Sequence, residues 1–229
     1  MTREGPAESA LVAPSESSPL SLETVDVVAG GSLAVGSDDG DSVLVVQDGR
    51  GTVQLDGVVH DLSTGTAALV LAGESAVVAS DGGLRAVVGT IARGAERHAP
   101  LGDRAVTVQE DAVESSRATG KRSFQILFGP ANGCERATLF LGYVPPGRAP
   151  WHYHLYDEIV VVRRGHARVH RADGTTEEAP AGTAFRLAPR EVHIVENAGD
   201  EELAVLGLFT PAGSPSAAYL PAEAAPTRS

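Results

Sequence analysis

The chain has one cysteine, Cys134, and therefore cannot form an intrachain disulfide. Its first 20 residues lack both the basic start and the apolar block of a secretory signal, which sets the expectation of a reducing, cytoplasmic setting. No run approaches the roughly 20 apolar residues needed to cross a bilayer, so no membrane span is expected. Positive charge is scarce too: 18 Lys and Arg against 30 Asp and Glu leave a formal net charge of −12, which repels phosphate backbones and anionic lipid alike. Nucleic acid and membrane are thus not expected as partners, and a small-molecule substrate is. A local cluster of arginines can still reverse the field inside a cleft. One lysine, Lys121, stands against 17 arginines, a bias that reads as genome composition rather than function.

Helical periodicity is also nearly absent. In its place stand short β-branched runs, such as SVLVVQDG, GTVQLDG, EIVVVRRG and HARVHRADG, separated by Asp-Gly and Gly-Gly pairs. Those pairs supply the positive φ angles that tight hairpins demand, so the pattern predicts an all-β sandwich or barrel. At 229 residues there is room for one large β domain or two small ones.

The chain aligns with itself. SVLVVQDGRGTVQL from Ser42 matches EIVVVRRGHARVHR from Glu158, with Gly49 falling on Gly165, and GTAALVLAGESAVVAS from Gly65 matches GTAFRLAPREVHIVEN from Gly182. The expected organisation is a disordered segment at 1–19, a first module at 20–95, a linker at 96–110, a second module at 111–212 and a flexible tail at 213–229.

The second copy carries chemistry that the first lacks. In a strand, residues two apart share a face, so His152 and His154 point together, and Glu158 joins them if the chain stays extended. His193 lies in a separate strand that hairpins can fold across the first. Three imidazoles and a carboxylate suit iron, manganese, zinc, nickel or copper, and they leave two octahedral positions open for water, oxygen or substrate. Alone, a His-x-His pair on a strand is more often solvated than ligating. At the equivalent positions, however, the first copy has Gly36, Asp38, Ser42 and Ala76, so all four donors are missing together while the scaffold residues remain.

These residues bring the second module into line with a known family. Gly147, His152, His154, Glu158 and Gly165 follow the spacing of the first cupin motif, with the opening loop one residue short. Gly182, His193 and Asn197 keep the spacing of the second, with its proline shifted to Pro189 and its inner glycine replaced by Arg190. The module resembles a cupin over about residues 135 to 210. The resemblance implies two tandem jelly-roll barrels, the first degenerate, with His152, His154, Glu158 and His193 as ligands of a divalent transition metal. Iron is the expected metal, ahead of Mn, Zn, Ni or Cu. The resemblance further implies a structural role for Asn197 and a homodimer, because strands of such barrels often pair between chains.

Around the centre, Tyr156 shares strand parity with the ligands and is the candidate hydrogen-bond donor or proton carrier. Arg148 is the candidate carboxylate clamp, with Arg186 as its alternative. Trp151 and Tyr153 have the opposite parity and are expected to pack outward; Val160, Val162, Leu187 and Val195 form an apolar wall. His60, His98, His166 and His170 lack partners at ligand spacing. Asp157, Glu191 and Glu196 read as a solvated rim. No Ser-His-Asp order, Cys-His pair or phosphate-cradling loop is present. The expected function is a metal-dependent oxygenase acting on an enol, diketone or phenol; the alternatives are a redox-neutral isomerase, cyclase or lyase, and a metabolite-binding module without turnover.

Overall fold

The computed structural model describes residues 7–12, 18–118 and 121–220, and over them the chain is all-β, with a single 3-10 turn at Glu110–Ala112. No helix among these residues is long and apolar enough to cross a membrane.

The apolar runs form strands buried on both faces, as continuous rather than alternating hydrophobicity requires. In Gly40–Leu55, Val43 and Val45 enter one core cluster while Leu44 and Val46 enter another. Asp157–Arg164 does the same, with Ile159 and Val161 on one side and Val160 and Val162 on the other. Burying each such side chain contributes about 1.5–3 kcal/mol. The cluster holding Val43, Val45, Ile159 and Val161 also contains Leu22, Ile91, Leu139 and Leu208, so the two halves of the chain share one apolar layer.

The strands of residues 7–109 hydrogen-bond among themselves in a nine-stranded set. The later strands form two sheets. One runs Ser116–Arg117, Ser123–Phe128, Thr138–Val144, Leu203–Thr210, Asp157–Arg164, Ala184–Leu187; the other runs Gly147–Arg148, His193–Asn197, His166–Arg171, Thr176–Pro180. Val162, Phe185 and Val205 from the six-stranded sheet meet Ala167, Val169 and Ala179 from the four-stranded one, which closes them on a common core.

The internal repeat is reproduced in strand register. Ser42 pairs with Val70 and Thr90, and its counterpart Glu158 pairs with Leu187 and Phe209. Leu55 pairs with Ala76, and Arg171 with His193. Gly49 and Gly165 have φ of +87° and +92°, and Gly65 and Gly182 have +86° and +87°, so the shared glycines mark matching left-handed turns.

Three segment expectations need correction. Within the segment expected to be disordered, Ala7–Val12 pairs antiparallel with Leu20–Val27, because Leu11 and Val12 find apolar cover on the shared core; residues 1–6 and 13–17 lie outside the described residues. In the expected linker, Thr107–Gln109 adds to Thr66–Val70, with the Thr66 hydroxyl donating to Gln109 Oε1 at 2.6 Å. In the expected tail, Tyr219 forms a bridge with Tyr153; residues 221–229 lie outside the described residues.

Candidate metal centre

The segment that carries His152 and His154 is not the continuous strand that spacing suggests. Strand geometry begins only at Asp157, and the residues before it are held by isolated bridges. His152 and His193 exchange both backbone hydrogen bonds, at 3.1 and 2.9 Å, and Arg190 N–H donates to His154 C=O at 2.7 Å. Arg190 sits where the motif has glycine and takes the left-handed conformation that glycine would, φ +66°. Asn197 acts as a clamp: its Nδ2 donates to Val144 and Glu201 carbonyls, and its Oδ1 accepts from Gly199 N–H.

These constraints bring all four candidate donors to one cavity, with His152, His154, Glu158 and His193 only 8, 2, 6 and 1% exposed. The His193 ring lies 4.5 Å from that of His152 and 5.0 Å from that of His154, centroid to centroid. Each imidazole has Nδ1 on a backbone carbonyl: His152 on Pro150 at 2.9 Å, His154 on Tyr156 at 2.8 Å and His193 on Glu191 at 2.8 Å. A carbonyl oxygen can only accept, so each Nδ1 carries a proton and each ring turns its Nε2 edge the other way. Burial lowers the pKa of His152 and takes that of His193 down to about 3, which keeps both rings neutral at physiological pH.

His154 Nε2 is the telling atom. It stands 3.0 Å from Glu158 Oε2, within ion-pair distance, yet it is buried and makes no hydrogen bond. Distance alone would read as a salt bridge; direction decides otherwise, because the contact does not have the geometry of an N–H···O bond. A buried ring nitrogen and a carboxylate oxygen thus meet in a desolvated site with no hydrogen bond between them, which is costly unless a cation compensates them. Two ligands about 2.1 Å from one ion at a right angle stand about 3.0 Å apart, so the observed separation is that of neighbouring ligands in a coordination shell. Among the described residues no three His, Cys, Asp or Glu donors already stand as a finished cation site. The donor set nevertheless fits a borderline transition metal: three imidazoles oriented from behind by carbonyls, and one carboxylate.

The cavity is small, about 100 Å³, and mostly apolar, with Phe124, Phe140, Val160, Leu187, Val195 and Val205 in its wall. Tyr156 lines it, stacked between His154 and Phe209 at 4.1 and 4.0 Å, with its hydroxyl donating to Pro215 C=O at 3.4 Å. Burial and the nearby Glu158 carboxylate hold that hydroxyl well above its ordinary pKa, so it stays protonated. Arg122 also lines the cavity, and burial lowers the pKa of its guanidinium. Sequence reasoning missed Arg122; the one available signal was its parity with Phe124 in the strand that follows. It also missed Pro215, Ser216 and Ala218, which close one side of the cavity.

Other candidates lie elsewhere. Arg148 is half exposed, 3.6 Å from Glu196, and does not line the cavity. It falls on the two-residue edge strand Gly147–Arg148. Arg186 grips Asp157 through two hydrogen bonds of 3.0 and 2.7 Å, and Asp157 also accepts from the Ser18 hydroxyl at 2.5 Å. Asp157 is therefore a buried ion-pair partner rather than a solvated rim residue. Glu191 and Glu196 are held by Arg171 and His170, and His166 pairs with Glu178. Val162 belongs to the core behind the wall, and Tyr153 stacks on Tyr219. Cys134 is buried, its thiol pushed up to about 12 by desolvation, and is an inert core residue.

The strands of the second half fold as an all-β barrel around this donor set. Residues 140–209 match the family described as Cupin domain. Solved structures with the same fold include a variant of oxalate decarboxylase from Bacillus subtilis, with a TM-score of 0.74 at 15% identity over 92% of this chain and 74% of that one. A putative glyoxylate-induced protein from Pseudomonas aeruginosa gives 0.73 at 16% identity over 90% and 79%. A cupin 2 conserved barrel domain protein from Leptotrichia buccalis gives 0.63 at 14% identity over 92% of each chain. At these identities the likeness is one of fold. The Bacillus subtilis decarboxylase carries Mn(II) centres. No curated protein matches the chain.

Proposed function

We propose that residues 20–95 and 111–212 form two cupin barrels in tandem, the first a ligand-free support and the second a metal-dependent oxygenase of a small chelating organic substrate. In this reading His152, His154, Glu158 and His193 hold a divalent transition metal, iron first. The contact of His154 Nε2 with Glu158 Oε2 without a hydrogen bond, in a cavity that His152 and His193 also line, carries the reading. When bound, the metal supplies open positions at which an enol, diketone or phenol can be chelated and activated toward dioxygen.

The protein's own residues do the rest. The apolar wall excludes water and accommodates a small neutral gas. Tyr156, kept protonated, can donate to a substrate oxygen but cannot act as a base. Beyond the four candidate ligands, the described residues that line the cavity include no carboxylate or imidazole, so among them proton abstraction from carbon has no dedicated base. That favours oxygenation over a base-driven reaction. The second reading, a redox-neutral isomerase, cyclase or lyase, draws support from Arg122 and Tyr156, which together can stabilise an enolate oxygen.

Oxygen uptake by iron-loaded protein against a panel of enols, β-diketones and phenols tests the proposal. Consumption of oxygen in step with substrate loss is expected; turnover without oxygen consumption would replace the oxygenase with the second reading.

A further inference from the structure

The strand registers arrange the cavity's residues in rows. Glu158 stands beside Phe209 and Leu187, and the next row on the cavity side of the same sheet is Phe140, Gly207 and Val160. That step of two residues is about 6–7 Å along a strand, so a molecule held at the ligand end soon meets the second row. Gly207 brings no side chain to it, and Phe140 takes the place. A Cβ on Gly207 would sit 2.1 Å from Phe140 Cε1 and 2.4 Å from its Cζ, so the ring lies over bare backbone. Its Cε2 also reaches within 3.3 Å of where a Cβ on Gly142 would stand, and Phe209 meets it edge-on, with centroids 5.8 Å apart at 64°. Backbone beneath and an aromatic beside it leave the ring no room to retreat. Phe124 and Tyr156 continue it as an aromatic wall, while Val160, Leu187, Val195 and Val205 form an aliphatic one. The space enclosed is about 100 Å³. An apolar cavity of about 150 Å³ takes up benzene, and this one falls short of an aromatic ring.

We propose that Phe140 sets the substrate class of the centre: a short aliphatic chelator, such as a small enol or diketone, is admitted, and a phenol or other ring-bearing chelator is turned away. This narrows the metal-oxygenase reading and rests on it for the chelating end of the substrate. The steric limit itself belongs to Phe140 alone. Forcing extra carbon against a packed wall costs more than its burial returns, because neighbouring side chains must leave their preferred rotamers. A flexible methionine at this position would yield, whereas a ring seated on the Gly207 backbone does not. The short alkyl ends of an aliphatic substrate suit the apolar walls.

The test compares acetohydroxamate with benzohydroxamate, which share one chelating head and differ in a methyl against a phenyl tail. Calorimetry is run on Zn(II)-loaded protein whose metal content is measured before and after. Acetohydroxamate is expected to bind the parent at least about tenfold more tightly, although the phenyl tail is the more apolar. Phe140→Ala should reverse that order at unchanged metal content. Phe140→Leu, the milder variant if the first does not fold, should narrow the preference by at least about threefold. Equal or tighter binding of benzohydroxamate by the parent, or an unaltered preference in a folded Phe140 variant, overturns the proposal. If the protein takes up no metal, the metal reading fails by itself. Phe140 is then judged on the metal-free protein with benzene, followed by methyl NMR shifts: the Phe140 variant must bind it and the parent must not.

Discussion

Tyr153 and Tyr219 hold each other twice over: their backbones exchange two hydrogen bonds, of 3.0 and 2.9 Å, and their rings stack with centroids 5.5 Å apart. Tyr153 lies between His152 and His154, so the C-terminal segment braces the very turn that presents both imidazoles. The same segment supplies Pro215, Ser216 and Ala218 to the cavity wall, and Thr138 ties its start at Gly213 through two hydrogen bonds. Removing residues 214–229 should therefore leave the β fold intact but loosen the centre. Groups that orient ligands from behind are worth about 10–100-fold in metal affinity, and a loss of that order is expected on chelator titration. Unchanged affinity in the truncated protein would show that the brace is ornamental.

The unbonded contact of His154 Nε2 with Glu158 yields a prediction of opposite sign for stability and for metal binding. In Glu158→Gln the new amide can donate to His154 Nε2, satisfying an orphaned buried atom, so the metal-free protein should gain about 1 kcal/mol. Metal affinity should fall in the same variant. His154→Ala should lose stoichiometric metal while keeping its far-ultraviolet spectrum. An ordinary salt bridge between a charged His154 and Glu158 predicts the reverse for Glu158→Gln, a lower denaturation midpoint.

His193 makes the metal-free protein sensitive to acid. Its pKa is lowered by burial from 6.5 to about 3, so as pH falls the unfolded chain takes the proton first. The stability is complete above pH 6.5 and declines below it, by about 2 kcal/mol at pH 5 at roughly 1.4 kcal/mol per pH unit. His152 acts in the same direction. Urea midpoints from pH 7.5 to 5 should fall less steeply for His193→Gln than for the parent; parallel slopes would rule out the imidazole as the cause.

Arg190 occupies a left-handed turn at φ +66°, a conformation costing a side-chain-bearing residue about 1–2 kcal/mol. Glycine is free of that cost but loses about 0.5–1 kcal/mol through its flexible unfolded state. Arg190→Gly is thus expected to stabilise by up to about 1 kcal/mol, a rise of about 2–4 °C in a thermal scan of a chain this long. A lower midpoint would mean that the arginine side chain contributes more than its backbone costs.

Much of this was legible in the chain itself. The alternation of Val43, Leu44, Val45 and Val46, the hairpin glycines and the internal repeat are local patterns, and local patterns are what periodicity and turn chemistry report. The repeat also marked the donors, since Ser42 and Ala76 stand in register where Glu158 and His193 stand in the second half. Arg148 stands outside the cavity lining, which spacing does not foretell, because it says that a cation is near a motif and not which wall its side chain joins. Segments 96–110 and 213–229 read as linker and tail because the partners of Thr107–Gln109 and Tyr219, Thr66–Val70 and Tyr153, are more than 30 residues away in the chain.

By itself, then, the sequence determined the strand content, the tandem pattern and which four side chains could donate to a metal, because backbone period and residue type are properties of neighbours. Only the tertiary structure decided that three imidazoles turn Nδ1 onto backbone carbonyls, that His154 meets Glu158 without a hydrogen bond, and that Arg122 and the C-terminal segment line the chamber. Those outcomes depend on which distant carbonyls and side chains the fold brings within hydrogen-bonding reach, and chain distance does not encode that reach.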